Sequence, residues 1–78
     1  MSYPVMNATL DDVEQELDGA KRKFPPIHSL HEGYAVILEE LDEFWEEAKQ
    51  KTTNKDRLRA ELIQVAAMAV RTIEDLTL

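Results

Sequence analysis

Apolar residues recur at intervals of three and four along three stretches of the chain, which is the spacing of one face of an α-helix. The first stretch has its apolar positions at Leu10, Val13, Leu17, Ala20 and Phe24. The second has them at Leu30, Tyr34, Ile37, Leu38, Leu41, Phe44, Trp45 and Ala48. Together with a third stretch, which is described below, these positions predict helices at about 9–24, 30–50 and 54–76, after a loose N-terminal tail at 1–8.

Helix start and stop signals agree with this division. Capping-box patterns, in which Asp or Glu follows Ser or Thr by three residues, precede the periodic stretches at Thr9 with Asp12, Ser29 with Glu32, and Thr53 with Asp56. Pro25 and Pro26 end the first helix. Because no segment alternates as a strand does, the pattern predicts an all-α fold with a single domain over 1–78.

The third stretch is apolar around its whole circumference, at Leu62, Ile63, Val65, Ala66, Ala67, Met68, Ala69 and Val70. A helix that is apolar on every side is buried on every side, and two amphipathic helices cannot cover it. We therefore expect a three-helix protomer that assembles into a dimer or a higher helical bundle. Small chains usually need such stabilisation, and because this one of 78 residues has no cysteine, the remaining means are oligomerisation or a metal held by carboxylates and histidines.

The charge balance excludes several classes of partner. The chain carries 9 basic and 16 acidic residues, a formal net charge of -7, which repels nucleic-acid backbones and anionic membrane surfaces. The longest apolar run, at 65–70, is too short to span a bilayer, and the first ten residues lack the features of a signal peptide. We expect a cytoplasmic protein without a nucleic-acid or membrane partner.

Four oxygen-bearing side chains suggest a metal site. Glu61 and Gln64 stand three residues apart within the apolar middle of the third helix. Glu40 and Glu43 have the same spacing on the second helix. If these helices pack antiparallel, the two pairs face each other as a box of three carboxylates and one amide. Such a set, without histidine or cysteine, selects a hard cation, Mg²⁺ or Mn²⁺.

The same carboxylates have simpler interpretations. Glu40 and Glu43 can form ion pairs with basic residues of the third helix, and Glu61 can pair with Arg57 or Arg59 near the start of that helix.

Other polar and aromatic residues also leave alternatives open. Gln64 can hydrogen-bond across a dimer seam. Arg71 can bind a substrate phosphate, or it can pair with Asp75 one turn further on. The aromatic residues of the second helix are expected in the core, since they lie on its apolar stripe.

Two short motifs resemble a known family. The segment from Glu39 to Glu43 matches EExxE, and Glu61 with Gln64 matches the first half of ExxD. Together they resemble the MazG-like all-α nucleoside triphosphate pyrophosphohydrolases. The resemblance implies a MazG-like helical bundle in which neighbouring helices hold Mg²⁺. The metal binds the triphosphate, and water attacks to release a nucleoside monophosphate and pyrophosphate.

The resemblance also assigns roles to residues. It implies that Glu40, Glu43 and Glu61 are metal ligands, and that Glu39 assists a second ion or orients water. Gln64 stands where the family has aspartate, so it supplies a neutral ligand oxygen. We expect a partner subunit to complete the pocket, because family members usually have a fourth helix. The leading hypothesis is a Mg²⁺-dependent pyrophosphohydrolase; the alternatives are a non-catalytic MazG-like scaffold and a helical oligomerisation domain with a coincidental EExxE.

Overall fold

A computed structural model describes residues 3–78, with side chains from residue 7 onward. These residues form three α-helices and no strand, which confirms the all-α prediction. The helices are α1 (Tyr3–Lys23), α2 (Leu30–Ala48) and α3 (Lys55–Asp75). None of them is both long enough and apolar enough to cross a bilayer.

Helix α1 begins two turns earlier than the sequence pattern predicts. It starts at Tyr3, so residues 3–8 are helical and the prediction of a loose tail is wrong for them; residues 1 and 2 lie outside the described part. Pro4 is compatible with this start, because the first turn of a helix has no partner for its backbone N–H groups. Thr9 therefore lies inside the helix, where its hydroxyl accepts a hydrogen bond from Arg59 at 3.5 Å.

The caps of the other two helices explain where they begin. The Ser29 hydroxyl accepts a hydrogen bond from the Glu32 N–H at 3.0 Å, as the capping-box pattern predicts. The predicted cap at Thr53 is wrong by one residue. Asn54 caps α3 instead, and its side-chain oxygen accepts from the Arg57 N–H at 3.1 Å.

Helix α3 is the central helix. It packs against both α1 and α2, whereas α1 and α2 do not pack against each other over residues 3–78. The core lies at the α1–α3 contact and consists of Leu17, Ala20, Ala67 and Met68. Glu47 of α2 pairs with Arg57 near the start of α3, and Gly33 lies against Thr72 near its end, so the α2–α3 pair is antiparallel. Two helices thus flank α3 and leave one of its sides open.

The apolar stripe of α2 only partly faces the core, contrary to the expectation that its aromatic residues lie there: Ile37 packs against the core and Phe44 is half-buried, but much of the stripe turns outward. Tyr34 and Trp45 are 68% and 59% exposed, and Leu30 and Leu41 are also exposed. The residue that meets α3 most closely is Gly33, where an added Cβ would lie 2.7 Å from the Thr72 Cγ2. Close approach at Gly33 turns the flank of α2 that carries Gly33 and Glu40 towards α3.

The uncovered side of α3 carries a second apolar row. Leu62 and Ile73 are 48% and 51% exposed, although the apolar pattern predicts burial around the whole helix. Helical geometry places this row and the α2 stripe on the same side of the α2–α3 pair, away from α1. We call this surface the open face; its members are Leu30, Tyr34, Leu41, Trp45, Leu62 and Ile73.

Candidate metal centre

Three carboxylates from two helices meet near the loop end of the α2–α3 pair. Glu40 and Glu43 come from adjacent turns of α2, and Glu61 comes from the facing turn of α3. One oxygen of each lies within 4.8 Å of one oxygen of each of the others. We call Glu40, Glu43 and Glu61 the triad. The antiparallel arrangement thus brings together three of the four side chains predicted from the i, i+3 spacing.

The triad concentrates negative charge without a visible counter-charge. Glu40 and Glu61 are half-buried and Glu43 is exposed. The Oε2 atoms of Glu40 and Glu61 are buried and have no hydrogen-bond partner. No lysine or arginine of the described chain forms an ion pair with any of the three. An unpaired buried carboxylate is costly, so these oxygens need a proton or a cation.

The surroundings favour the protonated form of both inner carboxylates. Burial raises the pKa of Glu40 to about 7, and hydrogen bonding to Glu43 and its charge contribute further. Burial also raises the pKa of Glu61, with the charge of Glu43 as the next cause. Like charges that converge in one place raise the cost of ionising each other. A divalent cation would reverse this cost, because it stabilises the ionised form.

The triad does not form the ion pairs that the simpler interpretation of its carboxylates predicts. Arg57 lies 3.8 Å from Glu47 instead, and Arg59 lies 2.7 Å from Asp12 on α1. The prediction that Glu61 pairs with either arginine is therefore wrong.

The structure places the other two predicted site residues differently. Glu39 is exposed and lies outside the triad, although its charge contributes to the raised pKa of Glu40. Gln64 is half-buried one turn beyond Glu61, and it lines a separate cavity together with Glu40. The ligand role of Gln64 and the role of Glu39 towards water or a second ion stay predictions.

An open groove of about 720 Å³ lies directly beside the triad. Glu43 and Glu61 line it together with Arg57, whose side chain is 74% exposed. Arg57 is a cation within a groove that is otherwise acidic, so it can contact an anionic ligand that reaches the triad. Sequence reasoning did not give Arg57 this role, although its position four residues before Glu61 places both on one face of α3.

Arg71, the predicted phosphate ligand, is only 5% exposed and lies ten residues beyond Glu61 on α3, about 15 Å along the helix axis. Its guanidinium donates to the Pro25 carbonyl at 2.6 Å, and its Nε lies 3.5 Å from the Asp75 carboxylate. The alternative prediction, a pair with Asp75, is confirmed. A phosphate role for Arg71 stays a prediction, and it requires a ligand to compete with these contacts.

Comparison of the chain with protein-family models, with curated proteins and with solved structures gave no match. The functional interpretation therefore depends on the geometry of the triad and its groove.

Proposed function

We propose that the triad binds Mg²⁺ or Mn²⁺ and that the protein is a nucleoside triphosphate pyrophosphohydrolase of MazG-like type. The observation that carries the proposal is the pair of buried, unpartnered carboxylate oxygens on Glu40 and Glu61, directed into one three-carboxylate cluster. Oxygen ligands of this kind suit a hard cation, and the donor set therefore fits the proposed metal.

The acidic groove would take a triphosphate only together with a metal ion, because four glutamates and a single arginine line it in the described chain. A bound Mg²⁺ would offset the charge of the phosphates and make the α-phosphorus more open to attack by water. Glu40, Glu43 and Glu61 would hold the ion, with Gln64 as the proposed fourth ligand. Arg57 would contact the phosphates from the groove wall, where its exposed side chain would exchange its 3.8 Å contact with Glu47 for the phosphate oxygens. The products would be a nucleoside monophosphate and pyrophosphate.

The decisive experiment combines metal binding with product release. We expect Mg²⁺ at ten times its Kd to stabilise the wild-type protein by about 1.4 kcal/mol, which raises the Tm of a domain this small by several degrees. Glu61→Gln should remove most of this rise. Glu14→Gln is the matched control, because Glu14 is exposed on α1, away from α2. Pyrophosphate release from a panel of normal and modified triphosphates tests the reaction.

The outcomes separate the hypotheses. A metal-dependent rise in Tm that Glu61→Gln removes, together with pyrophosphate release, supports the enzyme. The same rise without release from any triphosphate supports a metal-binding scaffold that lacks activity. No rise with either Mg²⁺ or Mn²⁺ contradicts the metal site.

We further propose that the open face pairs with the open face of a second copy. The protomer has no large side chain that is fully buried among its described residues, and the open face carries its single tryptophan. Two helices of about 20 residues present a face of roughly 600 Å² in projection, close in size to the roughly 800 Å² per partner that a stable dimer buries. A two-fold axis would pair this surface with itself and extend the protomer into a larger bundle.

Trp45 reports on this contact directly. We expect its fluorescence to shift to the blue as the protein concentration rises, with dimers in sedimentation equilibrium. Leu62→Glu should give monomers, because it places a charge in the open face. Leu10→Glu is the matched control: Leu10 is also exposed, at 59%, but lies on α1. A wild-type protein that is monomeric at every concentration contradicts the dimer.

A further inference from the structure

The three helices enclose a second cavity, of about 270 Å³, next to the triad. Its walls include Glu16, Gly19, Lys23 and Phe24 of the α1 side and Glu40 and Gln64 of the α2–α3 pair. Glu40 belongs both to this cavity and to the triad. One molecule can therefore occupy the cavity and reach the triad at the same time.

Gly19 keeps the cavity open. A Cβ built at this position meets no atom within 4 Å, so no close helix contact requires the glycine. Glycine inside a helix costs about 1 kcal/mol relative to alanine. Gly19 itself lines the cavity, so a larger side chain at this position can extend into it. A volume of about 270 Å³ is slightly below the range of sites for drug-sized ligands, and it suits a single planar ring system.

Phe24 offers a stacking surface at this cavity. Phe24 is 57% exposed, so its ring is accessible to a ligand. The Arg71 guanidinium lies over the ring, 5.8 Å from its centroid, and hydrogen bonds hold that guanidinium in place. Phe24 also lines a separate cavity together with Arg71, so the ring lies between the two cavities. A base that enters the cavity beside Gly19 can stack on the ring.

Glu16 supplies the polar contact. It is half-buried on α1 and lines the cavity on the side opposite Glu40. An ionised carboxylate only accepts hydrogen bonds, so it favours an amino group over a carbonyl oxygen. Glutamate and aspartate recognise cytosine through its exocyclic amino group for this reason.

We propose that this cavity holds the base of the nucleotide and selects a base with an exocyclic amino group, such as cytosine, over uracil. The proposal rests on the pyrophosphohydrolase function, because it assigns the base of the same substrate whose phosphates reach the triad. Phe24 stacks on the ring, Glu16 accepts from the amino group, and Lys23 at the cavity wall contacts the sugar or the α-phosphate.

The first test measures binding without turnover. Calorimetry with Mg²⁺ and the α,β-methylene analogues of CTP and UTP should show about tenfold tighter binding of the CTP analogue. Glu16→Gln should reduce this preference to less than about threefold, since an amide can donate to the uracil carbonyl. Glu14→Gln, on the same helix but exposed, should keep the wild-type preference. If the wild-type protein binds the two analogues equally tightly, the assignment of Glu16 is overturned.

The second test fills the cavity. Gly19→Leu should weaken binding of the CTP analogue by at least about tenfold, whereas Gly19→Ala adds one methyl group and should weaken it much less. Both variants should keep the Mg²⁺-dependent rise in Tm, which also shows that they fold. If Gly19→Leu binds and hydrolyses triphosphates like the wild type, the cavity does not hold the base, although the proposed function stands. If the wild type shows neither binding nor hydrolysis, both proposals are overturned.

Discussion

The two ends of the α2–α3 pair both contain charge that is shielded from water, but only one end balances that charge within the fold. At one end Arg71 is nearly buried, and the Pro25 carbonyl, the Asp75 carboxylate and the Phe24 ring surround its guanidinium. Asp75 in turn accepts a hydrogen bond from the Ile27 N–H at 2.9 Å. The Arg71 Nε is buried without a hydrogen bond, but the Asp75 carboxylate lies 3.5 Å from it, so the charge at this end is balanced within the fold.

At the other end the triad brings three like charges together. The inner oxygens of Glu40 and Glu61 are buried without partners, and the pKa of Glu40 rises to about 7. A balanced charge fixes the position of chain segments, whereas an unbalanced cluster leaves free energy that a bound cation can recover. The Arg71 end therefore serves stability, and the triad end is the candidate functional site.

The largest expected change in stability comes from removing the cation at the Arg71 end. Arg71→Met should destabilise the protein by about 3–5 kcal/mol, because it leaves the Asp75 carboxylate part-buried without its cation. Urea denaturation of the two proteins measures this loss. Lys21→Met is the control, since it removes an exposed ion pair with Glu74 and should change stability little. Equal losses in the two variants would contradict a structural role for Arg71.

A smaller effect concerns the close contact near the Arg71 end. Gly33→Ala should destabilise the protein by about 1–3 kcal/mol, because the new Cβ would lie 2.7 Å from the Thr72 Cγ2. Gly19→Ala is the opposite case and should stabilise the protein by up to about 1 kcal/mol, because no atom lies within 4 Å of the added Cβ. Thermal unfolding of both variants gives the sign of each change. Stabilisation by Gly33→Ala would show that the two helices are not held together at this point.

A third variant increases the imbalance at the triad end. Gln64→Asp adds a negative charge one turn from Glu61, so it should lower the stability of the metal-free protein. If Gln64 is a ligand, Mg²⁺ should bind about tenfold more tightly, since ligand charge tunes the affinity of hard-cation sites. The variant should then also raise the rate of pyrophosphate release. Equal destabilisation with and without Mg²⁺, and no gain in activity, would exclude Gln64 from the ligand set.

The smallest expected effect is a pH dependence without metal. The pKa of Glu40 is about 7 in the folded protein, whereas the ordinary pKa of a glutamate carboxyl is 4.5. The folded state therefore holds this proton more tightly, so the contribution of Glu40 to stability is full below pH 4.5 and is lost as the pH rises through 7. After allowance for screening by solvent, the loss should be about 1 kcal/mol.

The variant Glu40→Gln tests this pH dependence, because its side chain does not titrate. The stability of the variant between pH 5 and 8 should change less than that of the wild type, and Glu14→Gln should follow the wild type. An unchanged slope in Glu40→Gln would show that Glu40 is not the titrating group.

Much of this arrangement follows from the sequence because it depends on local spacing. The i, i+3 pairs and a short loop are sufficient to bring Glu40 and Glu43 to Glu61, since an antiparallel pair has few possible registers. The stop at Pro25 and the cap at Ser29 are likewise local signals, and both are confirmed.

The exposure of the α2 stripe could not be predicted in the same way. Periodicity gives the apolar side of a helix, but it does not say which side a neighbour touches. That depends on the contact between Gly33 and Thr72, which stand 39 positions apart in the chain. The start of α1 is a different case. Pro4 does not stop a helix when it lies in the first turn, but the capping pattern at Thr9 indicates a later start.

The position of α1 has a consequence for the order of folding. Its polar contacts with α3 join residues 47 to 53 positions apart, whereas Glu47 and Arg57 of the α2–α3 pair are ten apart. Closing the longer loop costs more chain entropy, so we expect the hairpin of α2 and α3 to form first and α1 to dock last. Native-state hydrogen exchange should then find the amides of α1 least protected. The wall that carries Glu16 and Gly19 would open in such partial unfolding, while the triad, which lies wholly within the hairpin, keeps its shape.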